Sequence, residues 1–222
     1  ATATATATAT PTPTVIPFTV ARFAADPVRN RVYATVPSNN SVIVIDTTSL
    51  TVTNTIPIGS SPQGLAVSVD GSKLWVANSG STTAAIGVVD LNTLTVLPSL
   101  SAPAQPYDVV EGLGHRLYLS QSANNFSYSI MQVNADTGLY EGKVGNAYAE
   151  QGFLEITPDR RTLFYGGRGG STLTKFDVST TPATTIQAQG LGGNGEGLDI
   201  SHDGSMIVYP NGAGNGSPAY TT

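Results

Sequence analysis

A set of polar side chains recurs about every 44 residues along the chain, and its residue types suit the binding of a polar ligand. An arginine, two amides, a phenol and two carboxylates can together hold a molecule such as a sugar through paired hydrogen bonds, and the phenol ring adds a stacking face. The members are Arg22, Gln63, Tyr107, Asp108, Gln151 and Glu196. They form our candidate ligand site; the alternative is that they fill a channel or face solvent.

Residues of the usual catalytic types are few. The chain has no cysteine and two histidines, His115 and His202, and neither histidine lies in a metal-ligand spacing such as H-x-x-x-H. No Ser/His/Asp arrangement is evident, and the glycine-rich stretch at 166–171 lacks the lysine of a phosphate-binding loop. The sequence therefore predicts no catalytic residue, no metal site and no cofactor, and it favours a protein that is not an enzyme.

The candidate residues are positioned by a repeat of about 44 residues. One series of positions that sets its register is Val32, Leu74, Leu117, Leu163 and Ile207, and a second is Asp46, Asp90, Asn134 and Asp177. Each unit contains four short runs rich in β-branched and aromatic residues, separated by turn clusters, which predicts four strands. In the second unit the predicted strands are 65–69, 74–78, 85–90 and 95–100, and Asp70-Gly71 predicts the tight turn between the first two.

Such a repeat predicts an all-β fold, because a four-stranded sheet cannot bury both faces alone but several sheets packed radially can. We expect a β-propeller of four-stranded antiparallel blades, most simply five of them, with essentially no helix. Residues 14–20 and a C-terminal strand would complete the last blade; a truncated larger propeller is the alternative. In a propeller the entries to the innermost strands ring the mouth of the central channel, which would bring the six candidate residues together.

The chain divides into two predicted regions, a propeller domain at 15–222 and an Ala/Thr- and Pro/Thr-rich segment at 1–14. Segments rich in Thr and Pro are typical of extended linkers or glycosylated stalks, and Pro cannot donate the hydrogen bonds of a strand. A strand remains the alternative, since the Ala-Thr alternation has a period of two residues.

The repeat resembles the YVTN-type β-propeller repeat of bacterial and archaeal cell-surface and surface-layer-related proteins. The resemblance is carried by "RVYATVPSNNSVIVIDTTSLTVTNTIPIGSSPQGLAVSVDGSKLWVAN" and covers roughly residues 15–209. It implies the propeller fold. Relatives of this repeat serve as surface modules, lyases, lactonases and oxidoreductase subunits, so the resemblance leaves the activity open.

Three Asn-x-Ser triplets lie in predicted loops between second and third strands, and they mark candidate glycosylation sites at Asn39, Asn125 and Asn215. With the Thr/Pro segment and a charged fraction of 11%, they favour a secreted or cell-surface glycoprotein. The net charge of −5 and the absence of long apolar runs disfavour nucleic acid and a membrane span.

The sequence therefore favours a non-catalytic propeller that serves as a structural or self-assembling module or binds a ligand such as a glycan. Its partners would be copies of itself or cell-surface glycans. The alternative is a propeller enzyme of the lyase or lactonase type with its site at the channel mouth.

Overall fold

The computed structural model describes residues 16–123, 129–145, 151–167, 172–190, 197–209 and 219–221. Within these ranges the strands form five antiparallel sheets that follow one another along the chain, each built from consecutive strands. The first four sheets have four strands and the fifth has three.

The first sheet contains β1 (Phe23–Ala25), β2 (Arg31–Val36), β3 (Ser41–Asp46) and β4 (Thr51–Pro57). The second contains β5 (Pro62–Val67), β6 (Lys73–Asn78), β7 (Ile86–Asp90) and β8 (Thr95–Leu100). The third contains β9 (Pro106–Glu111), β10 (Arg116–Gln121), β11 (Ile130–Asn134) and β12 (Tyr140–Val144). The fourth contains β13 (Phe153–Ile156), β14 (Thr162–Gly166), β15 (Thr172–Asp177) and β16 (Thr184–Gly190). The fifth contains β17 (Asp199–Ile200), β18 (Ile207–Tyr209) and β19 (Ala219–Thr221).

The repeat-based strand prediction for the second unit is confirmed to within a few residues, and so is the turn at Asp70-Gly71. Gly71 has φ +69° and its counterpart Gly204 has φ +71°, a backbone region that favours glycine. Among the described residues the helical structure is limited to a short 3-10 turn, Pro37–Asn39. No helix in the described ranges has the length and apolar content to cross a bilayer.

Each pair of consecutive sheets packs through one apolar cluster, and these clusters form the core. Tyr33, Trp75 and Tyr118 occupy the same repeat position in the first three sheets, and each is at most 2% exposed. Burial of a large apolar side chain stabilises a fold by about 1.5–3 kcal/mol, so this position contributes strongly at each interface. Trp75 therefore has a packing role at the interface of the second and third sheets.

The recurrent Asp and Asn residues at the ends of the third strands cap the following turns, as their position predicts. The side chain of Asp90 accepts hydrogen bonds from the backbone N–H groups of Asn92 (2.8 Å) and Thr93 (2.9 Å). Asn134 accepts in the same way from Asp136 (3.0 Å) and Thr137 (2.9 Å). The second series of the repeat is therefore structural.

Neighbouring sheets are also joined by hydroxyl groups at one repeat position of the second strand. Thr35 Oγ1 donates to the carbonyl oxygen of Gln63 in the next sheet at 2.6 Å, and Ser120 Oγ donates to the carbonyl oxygen of Gly152 at 2.6 Å. Within its own repeat unit, Thr35 Oγ1 also accepts the backbone N–H of Arg22, and Ser120 Oγ accepts that of Asp108. These bonds fix the entries of the first strands relative to one another.

The first and last sheets lie at the two ends of this series. One face of the first sheet packs against Ile16, Phe18 and Val20, which precede β1. No apolar cluster of the described residues joins the fifth sheet to the first, and Phe23 in β1 is 56% exposed. In the fifth sheet, β19 pairs with β18 and supplies the C-terminal strand expected for this unit, while residues 16–20 are not a strand.

Candidate functional site

A cavity of about 720 Å³ is lined by residues of the first strand of every sheet and by adjoining turns. We call it the first-strand cavity. The first two sheets contribute mainly apolar side chains, whereas charged side chains come from the segment before β1 and from the third, fourth and fifth sheets. The charged and titratable lining residues are Arg22, Asp108, Glu155, Arg160, Asp199 and His202.

Arg22 and Asp108 are brought together, although 86 positions separate them in sequence. Arg22 Nη2 lies 3.4 Å from Asp108 Oδ2, and the side chains are 24% and 8% exposed. The Asp108 carboxylate also accepts backbone N–H groups of Val109 (3.0 Å) and Leu154 (3.0 Å). A Cβ on Gly64 would lie 2.0 Å from Asp108 Oδ1, so only glycine fits beside this carboxylate. Asp108 therefore contacts residues of the first four repeat units.

Arg22 is held from a second side by an aromatic pair. Its guanidinium carbon lies 4.0 Å from the centroid of the Phe153 ring, a cation–π distance. Tyr107 packs on the same ring, with centroids 6.0 Å apart and planes tilted by 58°. Three of the predicted site residues thus form one group around Phe153, which the sequence did not single out.

Arg22 and Asp108 are the predicted site residues that line the cavity, whereas Tyr107 is not among its lining residues. Gln63 and Gln151 are not among the residues that line the cavity. The Gln63 carbonyl accepts the Thr35 hydroxyl, and Gln151 Nε2 donates to the Ser122 carbonyl at 3.3 Å. Glu196 lies outside the described residues.

Of the candidate glycosylation sites, Asn39 is described. It is exposed at the end of the 3-10 turn between the second and third strands of the first sheet. The predicted loop position is therefore confirmed for Asn39. Asn125 and Asn215 lie outside the described residues, as does the segment 1–14.

Glu155 and Asp199 line the cavity but were not predicted from the sequence. Neither forms a salt bridge with another described residue. Glu155 stands between Leu154 and Ile156 in β13, where both neighbours are buried. A carboxylate in an otherwise apolar first strand is the signal that could have identified it.

Burial is the largest influence on the pKa values of two cavity carboxyl groups, those of the buried Asp108 and the partly buried Glu155. It raises the pKa of Asp108, against the opposing effects of Arg22 and the backbone donors. For Glu155, burial and then the charges of Asp108 and Asp199 raise the pKa to about 8, and Arg22 and Arg160 offset part of this. Near neutral pH Glu155 is therefore mainly protonated.

Glu111 is another buried carboxylate, and its side chain accepts hydrogen bonds from protein donors. Glu111 Oε2 accepts the Trp75 indole N–H at 3.0 Å and the Val69 backbone N–H at 2.9 Å. His115 Nδ1 lies 3.7 Å from Glu111 Oε1 on the exposed side, while His202 lines the cavity. Within the part of the chain that the structure describes, no group of three or more His, Cys, Asp and Glu residues has an arrangement suited to a metal ion.

Comparison with known proteins establishes the fold. No family model matches the chain. The sequence is 26% identical over 205 residues to Antigen Lp49 of Leptospira interrogans, covering 82% of this chain and 43% of that protein.

Similar solved structures are more numerous. Hydrazine synthase of Kuenenia stuttgartiensis has a TM-score of 0.72 at 19% identity, covering 90% of this chain and 57% of that one. The Cps50 (Swd1) β-propeller domain of Myceliophteria thermophila has a TM-score of 0.69 at 13% identity, covering 91% and 65%. A chain of the mitotic checkpoint complex has a TM-score of 0.68 at 17% identity, covering 86% and 58%.

The chain spans less than two thirds of the length of each of these proteins. At these identities the similarity shows the fold alone. The sheets and these neighbours together show that the chain has a β-propeller fold.

Proposed function

We propose that the chain is a non-catalytic, secreted or cell-surface β-propeller of the YVTN type that binds a small ligand in the first-strand cavity. The observation that carries this proposal is the lining of that cavity, which differs from sheet to sheet while the surrounding scaffold repeats. Its volume of about 720 Å³ lies within the range of ligand pockets, roughly 300–1,000 Å³. The exposed side chain of Asn39 and the Thr/Pro segment support the extracellular location.

We also propose that the ring has five blades and that residues 14–20 supply the outer edge of the fifth. Ile16-Pro17-Phe18 matches Ile56-Pro57-Ile58, and Ile56 and Ile58 pack at the interface of the first and second sheets. Ile16 and Phe18 pack on the corresponding face of the first sheet. This packing supports a place for the segment at the outer edge of a preceding blade, on a sheet face that no other described segment covers.

The binding proposal is tested by a thermal-shift screen of the chain against sugars, amines, amino acids and carboxylic acids, with hits measured by calorimetry. Ala25 is exposed in β1 and lines the cavity, so Ala25→Trp should fill the cavity and abolish binding. Ala188→Trp is the matched control, because Ala188 is exposed in β16 and does not line the cavity. Equal affinity of a hit for both variants would place its site elsewhere.

Self-assembly is a second candidate function, favoured by the outer strand of the fourth sheet. β16 has seven residues, Thr184–Gly190, none of them charged or proline, and β15 is the one described strand with which it pairs. By contrast, β8 contains Pro98, and β12 contains Glu141 and Lys143. Long uncharged edge strands favour edge-to-edge pairing.

Sedimentation velocity at rising protein concentration should show association of the natural sequence, and Ile186→Lys should remove it. A monomer at every concentration would contradict self-assembly.

A further inference from the structure

We propose that the first-strand cavity binds an organic cation, an alkylammonium group held between Glu155 and Asp199 with its stem against the apolar lining from the first two sheets. This inference rests on the proposed binding function of the cavity and names the chemical class of its ligand. It follows from the distribution of charged and apolar side chains around the cavity.

The acidic part of the lining has carboxylates that no cation neutralises directly. Of the two lining arginines, Arg22 is paired with Asp108 and packed on Phe153. The other, Arg160, donates from Nη1 to the Glu111 carbonyl oxygen at 3.0 Å. Glu155 and Asp199 are left without a salt bridge among the described residues, which suits a site that receives a positive charge.

The apolar part of the lining supplies the surface for a hydrocarbon stem. Phe23 is 56% exposed, and the small side chains Ala24, Ala25 and Ala66 leave the cavity open beside it. An exposed phenyl ring and alanines stabilise an alkyl chain by burying its surface and add nothing for a sugar hydroxyl. A metal ion would gain nothing from this part of the cavity, whereas an alkylammonium ion uses both parts.

The protonation state of Glu155 provides a second way to detect cation binding. The charged groups around Glu155 are Asp108, Asp199, Arg22 and Arg160, and His202 also lines the cavity. Burial and the two neighbouring carboxylates raise the pKa of Glu155 to about 8. A bound cation favours the ionised form, so binding near pH 7 should release up to one proton. At pH values below 8, the affinity for the cation should therefore increase as the pH is raised, by up to about tenfold per pH unit.

Calorimetric titration of the whole chain with n-pentylamine at low ionic strength tests the proposal, with 1-pentanol as the neutral isostere. We expect the amine to bind and the alcohol to bind at least about tenfold more weakly. Glu155→Gln and Asp199→Asn should each weaken amine binding at least about tenfold. Asp136→Asn is the matched control, because its carboxylate is exposed, carries the same charge and does not line the cavity; it should change affinity less than about twofold.

Proton release is read from titrations in buffers of different ionisation enthalpy, and Glu155→Gln should abolish it. Equal binding of alcohol and amine, unaffected by Glu155→Gln, would overturn the cation inference and leave the binding function standing. Equal loss in the Asp136 variant would reveal general electrostatic attraction and overturn it as well. If the thermal-shift screen yields no ligand at all, both the binding function and the cation inference are contradicted.

A last probe, Nα-acetyl-lysine amide, distinguishes the source of the ammonium group once the site is established. If it binds more tightly than pentylamine, the natural ligand is a lysine side chain of a peptide; if more weakly, it is a free amine. Whichever probe binds more tightly, Glu155→Gln should weaken the binding of both probes by a similar factor.

Discussion

At the scale of single residues, Asp108 has a different environment from the one that its type suggested. The sequence predicts a ligand-binding carboxylate at a channel mouth, and the residue does line the cavity. Its oxygens, however, already accept from Arg22, Val109 and Leu154. A carboxylate with its acceptor positions occupied by protein donors stabilises the arrangement of the sheets, and little of it is free for a ligand.

We therefore expect Asp108→Ala to lower the free energy of unfolding by about 3 kcal/mol, because it leaves the Arg22 charge and the Leu154 N–H without their partner. Urea unfolding followed by circular dichroism measures the change. Asp136→Ala, at an exposed position, should cost about 0.5 kcal/mol or less. A loss for Asp108→Ala within that same range would show that the carboxylate does not join the sheets.

Glu155 should make stability depend on pH. Its pKa is about 8 in the fold, whereas the ordinary pKa of a glutamate is 4.5, so between these values the folded state binds a proton that the unfolded state has lost. The stabilisation is complete below about pH 4.5 and is lost as the pH rises through 8, with a slope of at most about 1.4 kcal/mol per pH unit.

Unfolding measured from pH 5 to 9 should thus show falling stability in the natural sequence. The Glu155→Gln variant lacks the titrating group, and its profile should be nearly flat over this range. An unchanged slope in the variant would assign the pH dependence to another group.

Neither of these residue-scale properties is readable from the sequence. The repeat register places Arg22 and Asp108 at first-strand entries, but it does not say that side chains 86 positions apart meet. That contact depends on Gly64 leaving space and on the position of the Phe153 ring. Glu155 was missed because its strand reads as apolar, and the partners that set its pKa come from other sheets.

At the scale of elements, the first hairpin of a unit shows how a local motif determines structure. In the second sheet, Ser68 Oγ donates to Asp70 Oδ1 at 2.6 Å and accepts the Lys73 N–H at 2.8 Å. Ser201 makes the same two bonds in the fifth sheet, to Asp203 and from Met206. Ser68 is 5% exposed, whereas the bonds of Ser201 are solvent-exposed. The same motif should therefore contribute more to the free energy of unfolding in the second sheet than in the fifth.

Ser68→Ala should lower the free energy of unfolding by about 1.5 kcal/mol, because the part-buried Lys73 N–H loses this acceptor and Asp70 loses one of its donors. Ser201→Ala should lower it by about 0.5 kcal/mol. The pKa of Asp70 is lowered to about 2, first of all by the Ser68 hydroxyl. In Ser68→Ala it should therefore rise toward 3.8, which carboxyl NMR titration detects. Equal destabilisation by the two variants would contradict the weight assigned to burial.

Elements were the part of the structure that the sequence predicted best. Alternating β-branched and aromatic runs, the Asp-Gly turns and the capping Asp series are local signals, and each is repeated several times. The predicted strand 95–100 matches β8, and the others of that unit differ by a few residues at their ends. The largest difference is at the start of β5, where the pairing of Pro62 with Asn78 extends the strand beyond its apolar residues.

At the scale of the whole molecule, the number of repeats suggests a closed ring of sheets, but it does not show how the last sheet would join the first. The sheets are held in series by apolar clusters, and the first sheet presents a face that in later sheets is covered by the preceding one. Among the described residues, that face is covered by 16–20, in which Ile16, Phe18 and Val20 are partly buried and Pro17 and Thr19 are exposed. In the proposed five-bladed ring, closure would therefore depend on this segment.

Phe18→Asp places a charge against the apolar face of the first sheet, and we expect it to lower the free energy of unfolding by about 2 kcal/mol. Thr19→Asp adds the same charge at the neighbouring exposed position and is the matched control. Hydrogen exchange then reports which amides lose protection. If the segment completes the fifth blade, loosening it should raise exchange in both the first and the fifth sheets, because both lose a common partner. If exchange rises in the first sheet alone, the segment is only a cover for that sheet, and the closed five-bladed ring is ruled out.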